Sequence, residues 1–204
     1  FLKLIDKRKQ HWPIAYLIHK KEFYGLSFYV DQNTLIPRPE TEKLVNQTLK
    51  YIQKLATNHQ LPITILEAGT GSGCIAISIA KNTKIPVKII ASDICKKALL
   101  VAQKNANYHK VQIQFIQSDL LENVKKSHFA NPPAGEAGAT RDQRPDIIVA
   151  NLPYITPRVY AKLEPEITNF EPKKALLAKT RNYYYSQLKE QLKQRNWDSF
   201  LIFE

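Results

Sequence analysis

Short apolar runs alternate with helical segments along most of this 204-residue chain. The runs are rich in β-branched residues and predict strands at 63–66, 87–91, 111–116, 146–150 and 200–203. The remaining segments predict helices at 42–56, 74–81, 95–106 and 183–194. Strands that alternate with helices indicate an α/β fold with a mostly parallel, doubly wound sheet.

The composition suits one globular domain and excludes a membrane span. Hydrophobic residues make up 44% of the chain, which is enough for a core. No apolar run approaches the roughly 18 residues of a spanning helix, and no signal-peptide pattern opens the chain. The two cysteines, Cys74 and Cys95, lie inside predicted elements. We therefore expect a reduced, cytoplasmic setting and no membrane partner.

Basic residues outnumber acidic residues by 30 to 18, which gives a formal net charge of +12. A basic surface attracts phosphate-rich partners, so proximity to the ribosome or to RNA is one interpretation. The lysines are scattered along the sequence, which favours the other interpretation, an ordinary solvated surface. The five histidines form no ligand-like cluster, so we expect no metal site.

Residues 1–35 predict a linker followed by a β-hairpin, because residues 22–30 alternate polar and apolar types around Gly25. An extended segment is expected at 36–42, where two prolines flank Arg38. Thr41 is the expected N-cap of the helix at 42–56. We therefore divide the chain into a region 1–35 and a domain 36–204.

A flexible inserted loop is expected at 127–145, because the segment is rich in glycine, proline and alanine. It contains the string Asn131-Pro132-Pro133. No apolar strand precedes this string, and Ala134 supplies no aromatic ring. We therefore expect no functional site in the loop.

A glycine-rich turn follows the first core strand and opens a helix. Its spacing is G-x-G-x-G over Gly69, Gly71 and Gly73, with Glu67 two residues before the first glycine. Glycines let the backbone turn tightly and approach a ligand closely. Cys74 stands where the dinucleotide fingerprint has glycine or alanine, so this turn departs from that fingerprint.

Acidic residues follow the next two strands. Asp93 lies 20 residues after Gly73, where an acidic side chain bonds a ribose. Ser118-Asp119-Leu120 follows the third strand, with a carboxylate suited to an adenine amine and a leucine to pack on the ring. The three segments together indicate a nucleoside-bearing cofactor with little need for pyrophosphate binding, namely S-adenosylmethionine.

The tetrapeptide Asn151-Leu152-Pro153-Tyr154 comes directly after the apolar run 147–150, where open α/β sheets bind their ligands. It offers a side-chain amide, a free carbonyl and an aromatic face. Such a set can accept two hydrogen bonds from a planar –NH2 group and stack over it. We therefore predict chemistry on an amino or amide nitrogen. The alternative is a structural turn in which Tyr154 packs in the core.

Together these motifs resemble the class I methyltransferases, and specifically the HemK/PrmC family, whose members methylate the glutamine of the Gly-Gly-Gln motif in peptide chain release factors. The most specific string is Ile-Pro-Arg-Pro-Glu-Thr-Glu at 36–42. Further matching strings lie at 13–17, at 22–25 with Phe28, and at 169–172 with Ala175 and Leu176. The resemblance implies a Rossmann-like fold, S-adenosylmethionine as cofactor, a release factor as substrate, and activity as a protein-(glutamine-N(5)) methyltransferase.

The resemblance also implies roles for individual residues. Those expected to bind the cofactor are Glu67, Gly69, Thr70, Gly71, Ser72, Gly73, Asp93, Ile94, Asp119, Leu120 and Asn151. Those expected to be catalytic are Asn151, Pro153 and Tyr154. Those expected to bind the substrate are Asn151, Leu152, Pro153, Tyr154, Arg38, Pro39 and Glu40. For Arg38 and Glu40, a surface ion pair or a turn anchor is the alternative.

Leu152 stands where the resembled family has the first proline of Asn-Pro-Pro-Tyr. Asn-Leu-Pro-Tyr is typical of rRNA adenine dimethyltransferases, so an adenine-N(6) methyltransferase acting on rRNA or DNA stays open. The chain has no methionine and ends in an apolar run, so we expect a fragment. The resemblance implies an N-terminal helical domain that engages the release factor and further strands at the end of the sheet, and we expect both to be missing. A truncated, inactive cofactor-binding module is a further alternative. We expect a monomer.

Overall fold

The computed structural model describes residues 2–57, 62–129 and 143–204. Its helices are α1 (Leu2–Lys9), α2 (Ile14–Leu17), α3 (Glu42–Ala56), α4 (Cys74–Asn82), α5 (Lys96–His109), α6 (Pro157–Tyr160), α7 (Pro165–Phe170), α8 (Lys173–Leu176) and α9 (Tyr183–Arg195). Its strands are β1 (Lys21–Phe23), β2 (Leu26–Phe28), β3 (Ile63–Ala68), β4 (Val87–Asp93), β5 (Gln114–Gln117), β6 (Ile147–Ala150) and β7 (Phe200–Phe203). Within these ranges, no helix is long and apolar enough to cross a membrane.

Strands β3 to β7 form one parallel sheet in the order β5-β4-β3-β6-β7. The chain moves outward from β3 through β4 to β5, and then returns to the other side of β3 for β6 and β7. This reversal leaves a crevice beyond the carboxyl ends of β3 and β6, where ligands bind in open α/β sheets. The predicted α/β fold with a parallel sheet is confirmed.

Two hydrophobic cores fill the two faces of the sheet. Alternate side chains of a strand point to opposite faces, so Ile63 and Ile65 pack with α3 and α4, whereas Leu66 and Ala68 pack with α9. All residues of β3 and β6 are buried. Burial on both faces explains why both strands are visible in the sequence as largely apolar runs.

The predicted hairpin is present as the antiparallel pair β1 and β2, joined by Tyr24 and Gly25. Both turn residues have positive φ angles, 53° and 68°, as a two-residue type I′ turn requires. Phe23 and Phe28 lie in the same core as α3 and the sheet. The hairpin therefore packs onto the parallel sheet rather than standing apart from it.

Three expectations are wrong in detail. The segment predicted as extended contains a 3-10 turn at Pro39–Thr41. Thr41 consequently has helical angles, φ −67° and ψ −16°, and its side chain makes no capping bond to α3. The strand predicted at 111–116 begins only at Gln114. Val111 and Ile113 pack against the core before the pairing of β5 with β4 starts. Because both residues are apolar, the sequence pattern placed the start of the strand too early.

The inserted loop predicted at 127–145 falls largely outside the described residues, which omit 130–142. Its first residues belong to a 3-10 turn, Lys126–Phe129. Phe129 packs edge-on against Trp197, with ring centroids 5.2 Å apart. The short helices α6, α7 and α8 were not predicted, because four to six residues are too few to show a helical period.

Candidate active site

The glycine-rich loop joins the end of β3 to the start of α4, and each of its glycines has a positive φ angle. Gly69 and Gly73 are required for close approach. A Cβ at Gly69 would lie 3.0 Å from Leu152 Cδ2, and one at Gly73 would lie 3.2 Å from Ala102 Cβ. A Cβ at Gly71 would meet nothing within 4 Å. The middle glycine therefore leaves the loop open toward a ligand.

Asp93 ends β4 and holds this loop in place. Its Oδ2 atom accepts the backbone N–H of Gly71 at 2.8 Å, and its Oδ1 atom accepts the N–H of Cys95 at 2.8 Å. Burial raises the pKa of Asp93, against the lowering effect of these two bonds. Each carboxylate oxygen keeps a further lone pair, so the side chain can still accept a hydrogen bond from a hydroxyl group of a ligand.

Glu67 supports the loop from beneath. Its Oε2 atom accepts hydrogen bonds from Thr70 Oγ1 at 2.6 Å and from the N–H of Ala76 at 3.2 Å. Burial raises the pKa of Glu67 to about 8. Among the described residues, Glu67 Oε1 has no hydrogen-bond partner, and burial without a partner disfavours the charged form of the carboxyl group.

A cavity of about 460 Å³, here called the larger cavity, opens at the carboxyl edge of the sheet. The predicted residues that line it are Gly69, Gly71, Asp93, Ile94, Asp119, Leu120, Asn151, Leu152 and Pro153. Four other predicted residues, Glu67, Thr70, Ser72 and Gly73, do not line it and are buried behind the loop. The sequence prediction thus found the wall of the cavity together with its support.

Other residues of the larger cavity were missed. They are Asn33, Thr34 and Leu35 after the hairpin, Cys95 and Ala98 at the start of α5, Lys173, Lys174 and Ala175 in α8, and Tyr184 in α9. None of them stands at a strand end or in a glycine-rich turn, so no local pattern marks them. Only the string at 169–172, noted for its resemblance, pointed toward the α8 wall.

A smaller cavity of about 200 Å³ adjoins the larger one. Both are lined by Asn151, Leu152 and Pro153. Arg38, Glu40 and Tyr154 line only the smaller cavity, and Pro39 lines neither. Tyr154 is 41% exposed, so the alternative in which its ring packs in the core is wrong. The tetrapeptide lies at the junction of two spaces.

The side chain of Asn151 is oriented by a chain of hydrogen bonds. Thr41 Oγ1 lies 3.0 Å from Glu204 Oε2 and 2.9 Å from Asn151 Nδ2. A carboxylate only accepts, so the single hydroxyl proton of Thr41 is donated to Glu204. Asn151 must then present its –NH2 group to Thr41, and its Oδ1 atom stays available as an acceptor.

The string at 36–42 is anchored by a buried carboxylate. Glu171 accepts the N–H of Ile36 at 3.1 Å and forms an ion pair with Arg38. The side chain of Glu171 is 1% exposed and that of Arg38 is 36% exposed. Arg38 is therefore both a turn anchor and part of the wall of the smaller cavity.

Comparisons with known proteins identify relatives of this chain. The sequence model of the family described as "Methyltransferase small domain" matches residues 43–155. That span includes the glycine-rich loop, Asp93, Asp119 and Asn151. A solved structure, the hMettl16 catalytic domain in complex with the MAT2A 3'UTR hairpin 6, covers 96% of this chain and 74% of its own, with a TM-score of 0.55 and 14% identity. Identity this low shows a shared fold alone.

Two curated relatives carry the name "Release factor glutamine methyltransferase". The relative from Flavobacterium psychrophilum is 38% identical over 185 residues, which cover 89% of this chain and 58% of that protein. The relative from Chlorobaculum tepidum is 35% identical over 185 residues, with the same two coverages. These names confirm the resemblance that the motifs predicted. The chain spans less than two thirds of the length of either relative.

Proposed function

We propose that this chain, which belongs to the methyltransferase small-domain family, methylates the side-chain amide nitrogen of the glutamine in the Gly-Gly-Gln motif of release factors, with S-adenosylmethionine as donor. The observation that carries the proposal is the place of Asn151 at the junction of the two cavities, with its Oδ1 atom available. The names of the two relatives support the choice of substrate.

The residues of the larger cavity fit S-adenosylmethionine. The open backbone at Gly71 suits the methionine part, Asp93 offers acceptors for ribose hydroxyls, and Asp119 with Leu120 suits the adenine. Ile94 adds an apolar wall. When bound, the cofactor supplies an electrophilic methyl group on a sulfonium. The larger cavity is thus the donor side of the junction.

The acceptor side must overcome the weak nucleophilicity of an amide nitrogen, whose lone pair is delocalised into its carbonyl. Asn151 Oδ1 and the backbone carbonyl on the Pro153 side would each accept a hydrogen bond from one N–H of the amide and so aim the nitrogen. These acceptors favour the positive charge that develops on the nitrogen in the transition state, while Tyr154 stacks on the amide. Holding the two reactants together supplies much of the remaining acceleration. The methylated nitrogen would then release one of its two protons to water, so no dedicated base or metal is needed.

The substrate enters through the smaller cavity. Arg38 and Glu40 line its wall, and Pro39 shapes the turn between them. We extend the proposal to a monomeric, cytoplasmic protein with a hairpin region at 1–35 and a catalytic domain at 36–204. The net charge of +12 suits proximity to the ribosome or RNA, and it suits an ordinary solvated surface equally well.

A second candidate is adenine-N(6) methylation of rRNA or DNA, which the Asn-Leu-Pro-Tyr string and the basic charge favour. Transfer of a radiolabelled methyl group to a purified release factor, with rRNA as the competing acceptor, separates the two functions. We expect label in the release factor. Label in rRNA alone would replace the proposal with the second candidate. Cofactor binding without transfer to either acceptor would indicate an inactive module.

Asn151→Ala tests the mechanism. We expect transfer to be abolished, with the affinity for S-adenosylmethionine little changed in calorimetry. Thr41→Val keeps the shape but removes the acceptor of the Asn151 –NH2 group, so we expect kcat to fall about tenfold, the effect of one hydrogen bond. Thr48→Val is the matched control, because Thr48 is buried in α3, the helix that follows Thr41, and its hydroxyl donates to the carbonyl of Leu44 at 2.7 Å. Full activity in Asn151→Ala would refute the assignment.

A further inference from the structure

The backbone N–H of Leu152 lies in the tetrapeptide at the junction of the two cavities, and its hydrogen-bond partner comes from helix α9. It donates to the hydroxyl of Tyr185 at 3.0 Å. Leu152 is 4% exposed and Tyr185 is 5% exposed, so water cannot replace either group. A buried N–H without an acceptor costs about 1–3 kcal/mol. The Tyr185 hydroxyl therefore supplies the acceptor that the buried N–H of Leu152 needs.

Tyr185 is held rigidly by elements far from the loop in sequence. It lies in the first turn of α9, and its ring packs against Phe203 of β7 with centroids 4.9 Å apart. Burial raises the pKa of Tyr185 to about 12, so the hydroxyl keeps its proton at neutral pH. The acceptor that meets Leu152 is therefore neutral and fixed in position.

The hydrogen bond also sets the direction of a carbonyl group in the junction. The C=O of Asn151 and the N–H of Leu152 belong to one planar peptide unit and point in opposite directions when the unit is trans. The Asn151 carbonyl oxygen lies on the side of the glycine-rich loop, 3.9 Å from the position a Cβ would take at Gly69. Tyr185 thus holds one edge of this peptide unit, and the other edge lies beside Gly69, a residue that lines the larger cavity.

We propose that Tyr185 is a positioning residue for methyl transfer: its hydroxyl fixes the peptide unit between Asn151 and Leu152, the backbone that joins the Asn151 side chain to the carbonyl on the Pro153 side, and so keeps these two acceptors in place. This inference rests on the proposed function. The Asn151 side chain is held by Thr41 and Glu204 from another direction. Side chain and backbone of Asn151 are therefore fixed by separate contacts, and loss of the Tyr185 contact should affect the chemical step more than cofactor binding.

Tyr185→Phe removes the hydroxyl and keeps the ring. We expect kcat to fall about tenfold, as for the loss of one oriented hydrogen bond, with cofactor affinity little changed. We also expect faster hydrogen exchange at the Leu152 amide. The matched control is Tyr183→Phe, two residues away in the same helix, which should leave both measurements unchanged. Unchanged kcat in Tyr185→Phe would overturn the proposal.

Leu152→Pro and Tyr185→Phe together form a double-mutant cycle. Proline has no N–H, so Leu152→Pro removes the donor of the hydrogen bond to Tyr185. The packing lost with the leucine is common to both Leu152→Pro proteins and cancels in the comparison. We expect Tyr185→Phe to lower kcat in the wild-type background and to change it little in the Leu152→Pro background. Equal losses in both backgrounds would show that the Tyr185 hydroxyl acts through a group other than the Leu152 N–H, and would overturn the proposal.

Two further readouts keep the test decisive. If Leu152→Pro does not fold, exchange at the Leu152 amide in Tyr185→Phe decides, since unchanged protection would mean that the hydroxyl does not hold this peptide unit. If the wild-type protein methylates no release factor, the proposed function fails. The exchange result would then still show whether Tyr185 fixes the loop, so the two failures are distinguishable.

Discussion

Gly71→Ala tests whether a ligand lies against the glycine-rich loop. Gly71 has a φ angle of 56°, and an added Cβ would meet no heavy atom within 4 Å. The left-handed conformation costs an L-residue about 1–2 kcal/mol, so the free energy of unfolding should fall by about that amount. Gly71 lines the larger cavity, so the new methyl group would crowd its ligand. Overpacking costs about 1–3 kcal/mol, or about 5- to 150-fold in the cofactor dissociation constant.

Gly25→Ala is the matched control for this experiment. Gly25 has a φ angle of 68° and equally open space around its Cβ position, but it lies in the hairpin turn and not in the cavity wall. Urea denaturation should show similar losses of stability in the two variants. Calorimetry should show weaker binding of S-adenosylmethionine only in Gly71→Ala. Equal cofactor affinity in both variants would refute the placement of the ligand against Gly71.

Two further predictions concern buried carboxyl groups. Because burial raises the pKa of Glu67 to about 8 from 4.5, its stabilising contribution is complete below pH 4.5 and is lost as the pH rises through 8. In urea denaturation, the stability of wild type relative to Glu67→Gln should therefore fall between these pH values, and a constant difference would contradict the raised pKa. Glu171→Ala leaves the Ile36 N–H without its acceptor and should cost about 2–3 kcal/mol of unfolding free energy. Glu166→Ala breaks a half-exposed pair with Arg8 and should cost at most about 1 kcal/mol, and similar losses in the two variants would contradict the anchoring role of Glu171.

The helix at 42–56 and the strand at 200–203 were predicted with the bounds that the structure has. Both depend on local regularities, helical spacing of apolar residues in one case and a short apolar run in the other. The edge strand β5 was misplaced, because apolar residues that precede a ladder resemble those inside it. A local pattern therefore gave the right bounds where the apolar run coincides with the ladder, as in β7, and the wrong start where apolar residues pack on the core before the ladder begins, as in β5.

Some residues of the candidate site were predictable from the sequence, and others were not. Asp93 ends a strand, and Gly69, Gly71 and Asp119 stand in turns that follow strands. Parallel strands bring such positions to one edge of the sheet. Their convergence was predictable from the order of elements alone. The segment at 33–35 and helix α8 reach the same cavity from distant parts of the chain, and no sequence period marks them.

By itself, the sequence determined the parallel sheet, the glycine-rich turn and the presence of Asn151 at a strand end, because each is written in residues close together in the chain. The tertiary structure alone decided what orients Asn151 and Leu152. Thr41, expected to cap a helix, instead bonds Asn151 and Glu204, and Tyr185 accepts the N–H of Leu152 from 33 residues away. A hydrogen bond between distant residues depends on where the packed elements place two polar atoms. Such a contact leaves no trace in composition or spacing.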